Sequence, residues 1–308
     1  MALHADRPGP TSQPTSPRST EPDDGHELAA LARFARSDVD LDRAGLSRNL
    51  RTVAMIWRRE MIRFWRNRTR LLTSFAQPLL YLFIFGAGLN RLVSRGATPV
   101  GVSFQKFLYP GVLAMVVLFS SIFSAISIVW DREFGFLREM LVAPVSRTSL
   151  VVGKALGGAS TSALQAVVLL VLGPIIGVHL TVVKVLLLLP MLLLVAFAMT
   201  SIGVALAAGM ASLESFQVVM QLVMMPMFFL SGAIYPVTGL PAWLSVLTRL
   251  DPLTYGVAPI RRLVLGDSVA GSIPIFGVHL GTAAQIAVIT AIGVGSCGLA
   301  VHRFRQSN

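Results

Sequence analysis

Nucleotide hydrolysis requires a glycine-rich loop ending in Gly-Lys-Ser/Thr, whose amides cradle phosphate and whose hydroxyl holds magnesium. The Gly-Lys pair of this sequence, Gly153-Lys154, is followed by Ala155, so that loop is missing. Metal or acid–base chemistry requires His, Asp or Glu at convergent spacing. The five histidines, at 4, 26, 179, 279 and 302, are scattered and none pairs with a carboxylate on a helical face. No ionisable side chain stands at the centre of a long apolar run, which removes the simplest mechanism of an ion-coupled carrier. The polar residues inside apolar runs are Ser120, Ser124 and Ser127 in one, Gln217 and Gln221 in another, and Gln165 and Gln285 elsewhere. Met220, Met224, Met225 and Met227 accompany the second group and offer adaptable apolar contacts. Ser120, Ser124, Ser127, Gln217, Met220, Gln221 and Met224 are thus candidates to line a substrate path; packing contacts between helices are the competing reading.

The elements that carry these residues are membrane helices. Of 308 residues, 54% are hydrophobic and 13% charged, where a soluble domain carries about 25% charged residues. Six stretches between residues 71 and 302 lack Asp, Glu, Lys and Arg, and each is long enough to cross a bilayer. The net charge of +11 clusters at the edges of apolar runs, a pattern of membrane surfaces and not of nucleic-acid binding. A single cysteine, Cys297, excludes a disulfide framework.

Residues 1–27 hold five prolines and six Ser/Thr with few bulky apolar side chains, so residues 1–48 are expected to be a disordered cytoplasmic tail. From Leu50 the residues Val53, Ala54, Trp57, Met61, Phe64 and Trp65 share one helical face, and Arg51, Arg58, Arg59, Arg63, Arg66 and Arg70 mostly take the other. That predicts an interfacial helix over about 50–70, with Trp57 and Trp65 among headgroups and Arg58, Arg59 and Arg66 at lipid phosphate. Six spans follow, at about 71–90, 107–130, 152–178, 183–210, 216–236 and 281–302. The last connection is apolar and broken by prolines 241, 252, 259 and 274, which fits a helical hairpin re-entering the outer leaflet, or else an external amphipathic cap. Rows of small residues, Gly153 and Gly157, Ser201, Ala205 and Gly209, and Ala287, Ala291 and Gly295, allow close helix approach.

Nine arginines against one acid, Glu60, between residues 43 and 70 place the N-terminus in the cytoplasm. Six crossings return the C-terminus there and put residues 131–147 on the same side. Arg249, Arg261 and Arg262 in the external connection run against this rule.

That internal island, WDREFGFLREMLVAPVSRTSLVVGK at 130–154, alternates charged and apolar residues until Pro144. It reads as a lever that docks on another protein, or as a plain interfacial turn. The island resembles the characteristic segment of ABC type-2 permeases through Arg132, Glu133, Gly135, Arg138 or Glu139, Leu141, Pro144 and Arg147. FFLSGAIYPVTGLPAWL (228–244) and LDPLTYGVAPIRRLVLG (250–266) resemble that family's fifth-span end and external hairpin. The likeness covers about 50–302 and is nearer to daunorubicin-type drug-resistance permeases than to polysaccharide exporters.

The resemblance implies an all-α integral membrane domain over 49–308, with six transmembrane helices, an N-terminal elbow helix and a re-entrant hairpin between spans five and six. It further implies a non-catalytic subunit in a bacterial plasma membrane, both termini cytoplasmic, which binds no cofactor itself. Its expected partners are an ABC ATP-binding subunit carrying ATP and magnesium, a second permease copy or sister permease, and membrane lipid. Arg132, Glu133, Phe134, Gly135, Phe136, Arg138, Glu139, Pro144 and Arg147 would couple it to that ATPase. The expected cargo is an antibiotic or other small amphiphile; the alternative is a lipid, lipid-linked glycan or polysaccharide.

Overall fold

The computed structural model describes residues 46–86, 88, 103–134, 146–178, 180–237, 240–266, 274–275, 278–279 and 281–306. All of them fall within one compact unit, residues 44–308. Helix α1 (Leu46–Arg66) is followed by α2 (Arg68–Leu80), which continues as a π-helical turn over Tyr81–Phe85. Pro78 within α2 lacks the N–H of a regular turn, and the wide turn lies just beyond it. Next come α3 (Phe104–Ser124), α4 (Ile126–Glu133), α5 (Arg147–Val171), α6 (Val182–Ala207) and α7 (Leu213–Leu230). Two shorter helices, α8 (Ala242–Leu250) and α9 (Thr254–Leu265), precede α10 (Thr282–Gln306). A two-residue pairing, β1 (Pro274–Ile275) with β2 (Val278–His279), is antiparallel.

Among the described residues, five helices are long and apolar enough to cross a membrane: α3 with α4, α5, α6, α7 and α10. The region expected as the first span contains a shorter apolar helix, Ser74–Phe85, and residues 89–102 lie outside the described set. The continuous Phe104–Glu133 stretch has 30 residues, which at about 1.5 Å each reaches roughly 45 Å, beyond a hydrocarbon core of about 30 Å. Its excess length carries α4 toward the charged island.

Local chemistry sets the helix ends. Helix α5 stops at Val171, short of the expected 178, because Gly173 and Pro174 open a 3-10 turn that ends on Gly177 at φ 78°. Helix α7 stops at Leu230 instead of continuing to 236, with Gly232 at φ 70°. Ser146 caps α5 by accepting from Ser149 N–H at 3.2 Å, and Ser212 caps α7 by accepting from Ser215 N–H at 3.3 Å.

Helix α3 is the core. It is buried on every side from Phe107 to Leu118 and packs against α2, α5, α6, α7 and α9, as expected of a helix apolar all round. Helices α5, α6 and α10 pack side by side, and α1 lies along α5. The α6–α10 contact uses Gly293, where a Cβ would stand 3.1 Å from Ala198 Cα. The expected row Ala287, Ala291 and Gly295 faces outward instead. The buried face of α10 is Gln285, Ile289, Gly293, Cys297, Ala300 and Phe304, a row at similar spacing that brings the bulkier residues inward.

Candidate functional site

Helix α5 begins with two glycines that act as a groove. A Cβ at Gly153 would come 2.8 Å from Ile56 Cβ, and one at Gly157 would come 2.9 Å from Glu60 Cβ. Their absence lets α1 lie close across α5, and Trp57 Nε1–H donates to Ser160 Oγ at 2.9 Å. Between those glycines stands Lys154, only 4% exposed. A buried ammonium is tolerated when its three protons are all used. Lys154 Nζ meets Glu60 Oε1 at 3.0 Å, Asp131 Oδ2 at 3.2 Å and Ser127 Oγ at 2.8 Å. Arg59 adds ion pairs to Glu60 at 3.5 Å and Asp131 at 3.8 Å. Burial pushes the Glu60 carboxyl up, but the Lys154 charge and hydrogen bond, then Arg59 and Arg63, hold it net below its ordinary value. Three helices, α1, α4 and α5, are thus joined by one cluster of paired charges.

The next turn of α4 grips a different pair of elements. Arg132 donates to the Met210 carbonyl at 2.9 Å, and Glu133 Oε2 accepts from Leu213 N–H at 2.9 Å. Met210 follows the C-terminus of α6 and Leu213 opens α7, so cation and anion each sit where the helix ends favour them. At the same end, Arg147 donates to the Phe304 and Arg305 carbonyls at 3.1 and 3.0 Å, and Arg303 donates to the Ala205 carbonyl at 3.1 Å.

The expected coupling residues therefore divide. Arg132, Glu133 and Arg147 direct their side chains to helix ends of this same chain, and Phe134 is 79% exposed. Gly135, Phe136, Arg138, Glu139, Leu141 and Pro144 lie outside the described residues. On α1, Trp57, Arg58, Trp65 and Arg66 are exposed and Arg59 is half-buried.

Beside the ion cluster, α1 to α5 enclose a cavity of about 500 Å³, within the usual size range of small-molecule pockets. Phe64, Phe119, Phe123 and Trp130 supply aromatic wall; Ser120, Ser124, Ser127, Thr161 and Gln165 supply polar wall, and Glu60 belongs to both cavity and cluster. Gly158 makes this possible, since a Cβ there would overlap Ser124 Oγ and Thr200 Cγ2. Of the expected path residues, the three serines meet at this cavity. Those on α7 do not: Gln217 and Gln221 are exposed, and Met220 and Met224 pack into the core.

At the opposite end of the bundle, Arg261 is 3% exposed. It donates to the Gly232 and Ala233 carbonyls at 2.7 and 3.1 Å and lies 4.4 Å from the centre of the Phe107 ring. Burial lowers its pKa to about 10, so it remains a cation near neutrality. Asp251 joins α8 to α9 and accepts from Leu253 N–H and Thr254 Oγ–H, both at 3.1 Å. Burial pushes its carboxyl up to about 7 against those hydrogen bonds.

Sequence reasoning passed over Lys154, reading it only as part of a failed phosphate loop. The usable signal was a cation within the first turns of a span, with Glu60 and Asp131 beside neighbouring apolar segments.

A family model described as "ABC-2 type transporter" matches residues 51–265. The "Putative transport permease ycf38" of Cyanophora paradoxa is 30% identical over 239 residues, covering 75% of this chain and 82% of that protein. "Nodulation protein J" of Rhizobium meliloti (strain 1021) is 31% identical over 238 residues, covering 76% and 87%. The same-named protein of Rhizobium leguminosarum bv. trifolii is 32% identical over 218 residues, covering 70% and 81%.

Proposed function

We propose a function from one premise: this chain belongs to the ABC-2 type transporter family. It is the membrane subunit of an exporter and draws on ATP hydrolysed, with magnesium, by a separate ATP-binding subunit. It pairs with a second copy or a sister permease in a bacterial plasma membrane and carries an antibiotic or other drug-like amphiphile outward. Helix α2 with the turn after it is the first of six crossings, and α1 is the elbow on the cytoplasmic surface. Helices α8 and α9 form the re-entrant hairpin, and both termini are cytoplasmic. Burial of Arg261 supports this orientation, because a cation held by carbonyls inside the protein does not act as a loop charge.

The observation that carries the mechanism is the double grip of α4. Asp131 is tied to α1 and α5 through Lys154 and Arg59, while Arg132 and Glu133 hold the α6–α7 turn. A push on residues 134–147 by the ATP-binding subunit therefore reaches the cavity wall and α7 together, which suits opening of a path to the outside.

Glu133→Lys should abolish substrate-stimulated ATPase in the assembled complex while leaving insertion unchanged; normal coupled turnover would sink the mechanism. Phe136→Pro should have the same effect. Labelling of Gly135→Cys by an impermeant reagent added outside intact cells would overturn the orientation. Vesicle assays comparing drug extrusion with lipid appearance in the outer leaflet distinguish the cargo from the lipid alternative.

A further inference from the structure

We propose that the last turn of α10 is a working part of the coupling apparatus: Arg147 ties it to the start of α5, Arg303 ties it to the end of α6, and both arginines act as positioning residues. This deepens the coupling reading and rests on it.

Arg147 is the first residue of α5. A cation there works against that helix's own macrodipole, whose positive end lies at the N-terminus, and no acidic residue in the first turn offsets it. Its favourable partner is the opposite pole of another helix. One guanidinium nitrogen of Arg147 donates to both the Phe304 and the Arg305 carbonyl. These belong to the last turn of α10, which ends at Gln306 and whose final carbonyls have no donor within their own helix. Arg147 is thus poorly placed for α5 and well placed for α10.

Arg303 carries the link onward. At the end of α6, Ala208 N–H donates to the Val204 carbonyl, but Gly209 N–H donates to the Leu206 carbonyl instead of that of Ala205. Arg303 takes the Ala205 carbonyl at 3.1 Å. Gly209 leaves room for it, since a Cβ there would stand 3.2 Å from an Arg303 guanidinium nitrogen. Phe304, next to Arg303, is buried in the core, which ties down a chain end that would otherwise fray.

The two ends of the charged island therefore converge on one helix. From the α4 side, Arg132 reaches the Met210 carbonyl just past the end of α6. From the α5 side, the path runs through Arg147, the last turn of α10 and Arg303 to Ala205, close to the same end. A push on the island resists spreading its two ends apart and instead displaces the cytoplasmic end of α6 from two points. Neither Arg147 nor Arg303 has to touch the ATP-binding subunit for this.

The test uses the full chain in lipid nanodiscs, assembled with the ATP-binding subunit that co-purifies with it. Permease-dependent ATPase is read well below the melting temperature of every variant. Arg147→Gln and Arg303→Gln should each lower it about tenfold, within the range for residues along a coupling path. The double variant should fall no further, because links in one path fail together, and affinity for the ATP-binding subunit should not change. In a Cys297→Ala background, Arg147→Cys with Gln306→Cys should be as impaired as Arg147→Gln. Joining the two thiols with a short bis-methanethiosulfonate should restore most of the turnover, and dithiothreitol should remove it again. Normal turnover in either single variant, additive loss in the double, weakened assembly, or no recovery on linking would overturn the proposal. Glu133→Lys is scored in parallel. Loss there with normal turnover in Arg147→Gln defeats this proposal alone, and the reverse defeats the grip on the α6–α7 turn alone. A wild-type chain that alters no ATPase defeats the export reading itself.

Discussion

The two ends of the helix bundle both bury charge, and they satisfy it by different means. At the end formed by α1, α4 and the start of α5, Lys154, Glu60, Asp131 and Arg59 satisfy one another, side chain to side chain, across three helices. At the end formed by α8, α9 and the start of α3, Arg261 is held by two backbone carbonyls and a ring face, with its Nε left without a hydrogen-bond partner, and Asp251 is held by its own following turn. Backbone partners are fixed by the fold, so the second arrangement has one geometry. Side-chain partners can be exchanged within a shared cluster at modest cost, so the first arrangement can hold more than one helix placement. The first end therefore suits a moving joint, and the second suits an anchor.

The sharpest way to break that comparison is to remove Lys154. Lys154→Met leaves Glu60 and Asp131 facing each other beside the half-exposed Arg59, with Arg63 also near Glu60, and a buried pair broken on one side costs about 3–5 kcal/mol. Thermal unfolding in detergent should show a larger loss than any other single substitution at either end of the bundle. Adding Glu60→Gln removes the uncompensated charge and should recover most of the stability. Stimulated ATPase in the complex should stay lost in the double variant. Recovery of both together would mean that the cluster only holds the helices in place and does not transmit motion.

Arg261→Met probes the anchor. It strips the donor from the Gly232 and Ala233 carbonyls, and the expected destabilisation is smaller, on the order of 2 kcal/mol. The surviving folded fraction should keep its normal ratio of stimulated to basal ATPase. A selective loss of stimulation here would erase the distinction between the two ends.

Much of the bundle was legible in the sequence because lipid imposes long uncharged runs, and each expected span from the second to the sixth overlaps a long helix. The α1 pattern of Trp and Arg was equally plain, since one helix suffices to show it. What stayed hidden depends on contacts between distant segments. Glu60, Asp131 and Lys154 come from three elements, and nothing in their separate settings says they meet. Arg132 and Glu133 read as outward contacts because a charged island resembles a surface, yet the α6–α7 turn comes back beside it and takes both. The serines at 120, 124 and 127 were visible as a row along one helix, whereas Thr161 and Gln165 become neighbours of that row only because Gly158 admits α3. The gap at α7 has the same origin. Gln217 and Gln221 looked like path residues by type, but the rotation of that helix turns them outward.

The mildest probe of the anchor is pH. Asp251 has its carboxyl raised by burial to about 7, so the folded state holds a proton that the unfolded chain releases at its ordinary, lower value. A raised value of this kind gives stability that is fully present in acid and is lost as pH rises through the folded-state value. Most of that slope lies below the range convenient for a membrane protein, and between about pH 6 and pH 8 the remaining loss is about 1 kcal/mol. The melting temperature should therefore fall by a few degrees over that interval and level off above it. Asp251→Asn removes the titration and keeps an oxygen for the Leu253 N–H, so its melting curve should be flat over the same interval. The cluster at the other end titrates the opposite way. Glu60 is held below its ordinary value, so its contribution is constant near neutrality and fails only in acid. A wild-type slope that survives Asp251→Asn would mean that the anchor end does not titrate as its geometry requires.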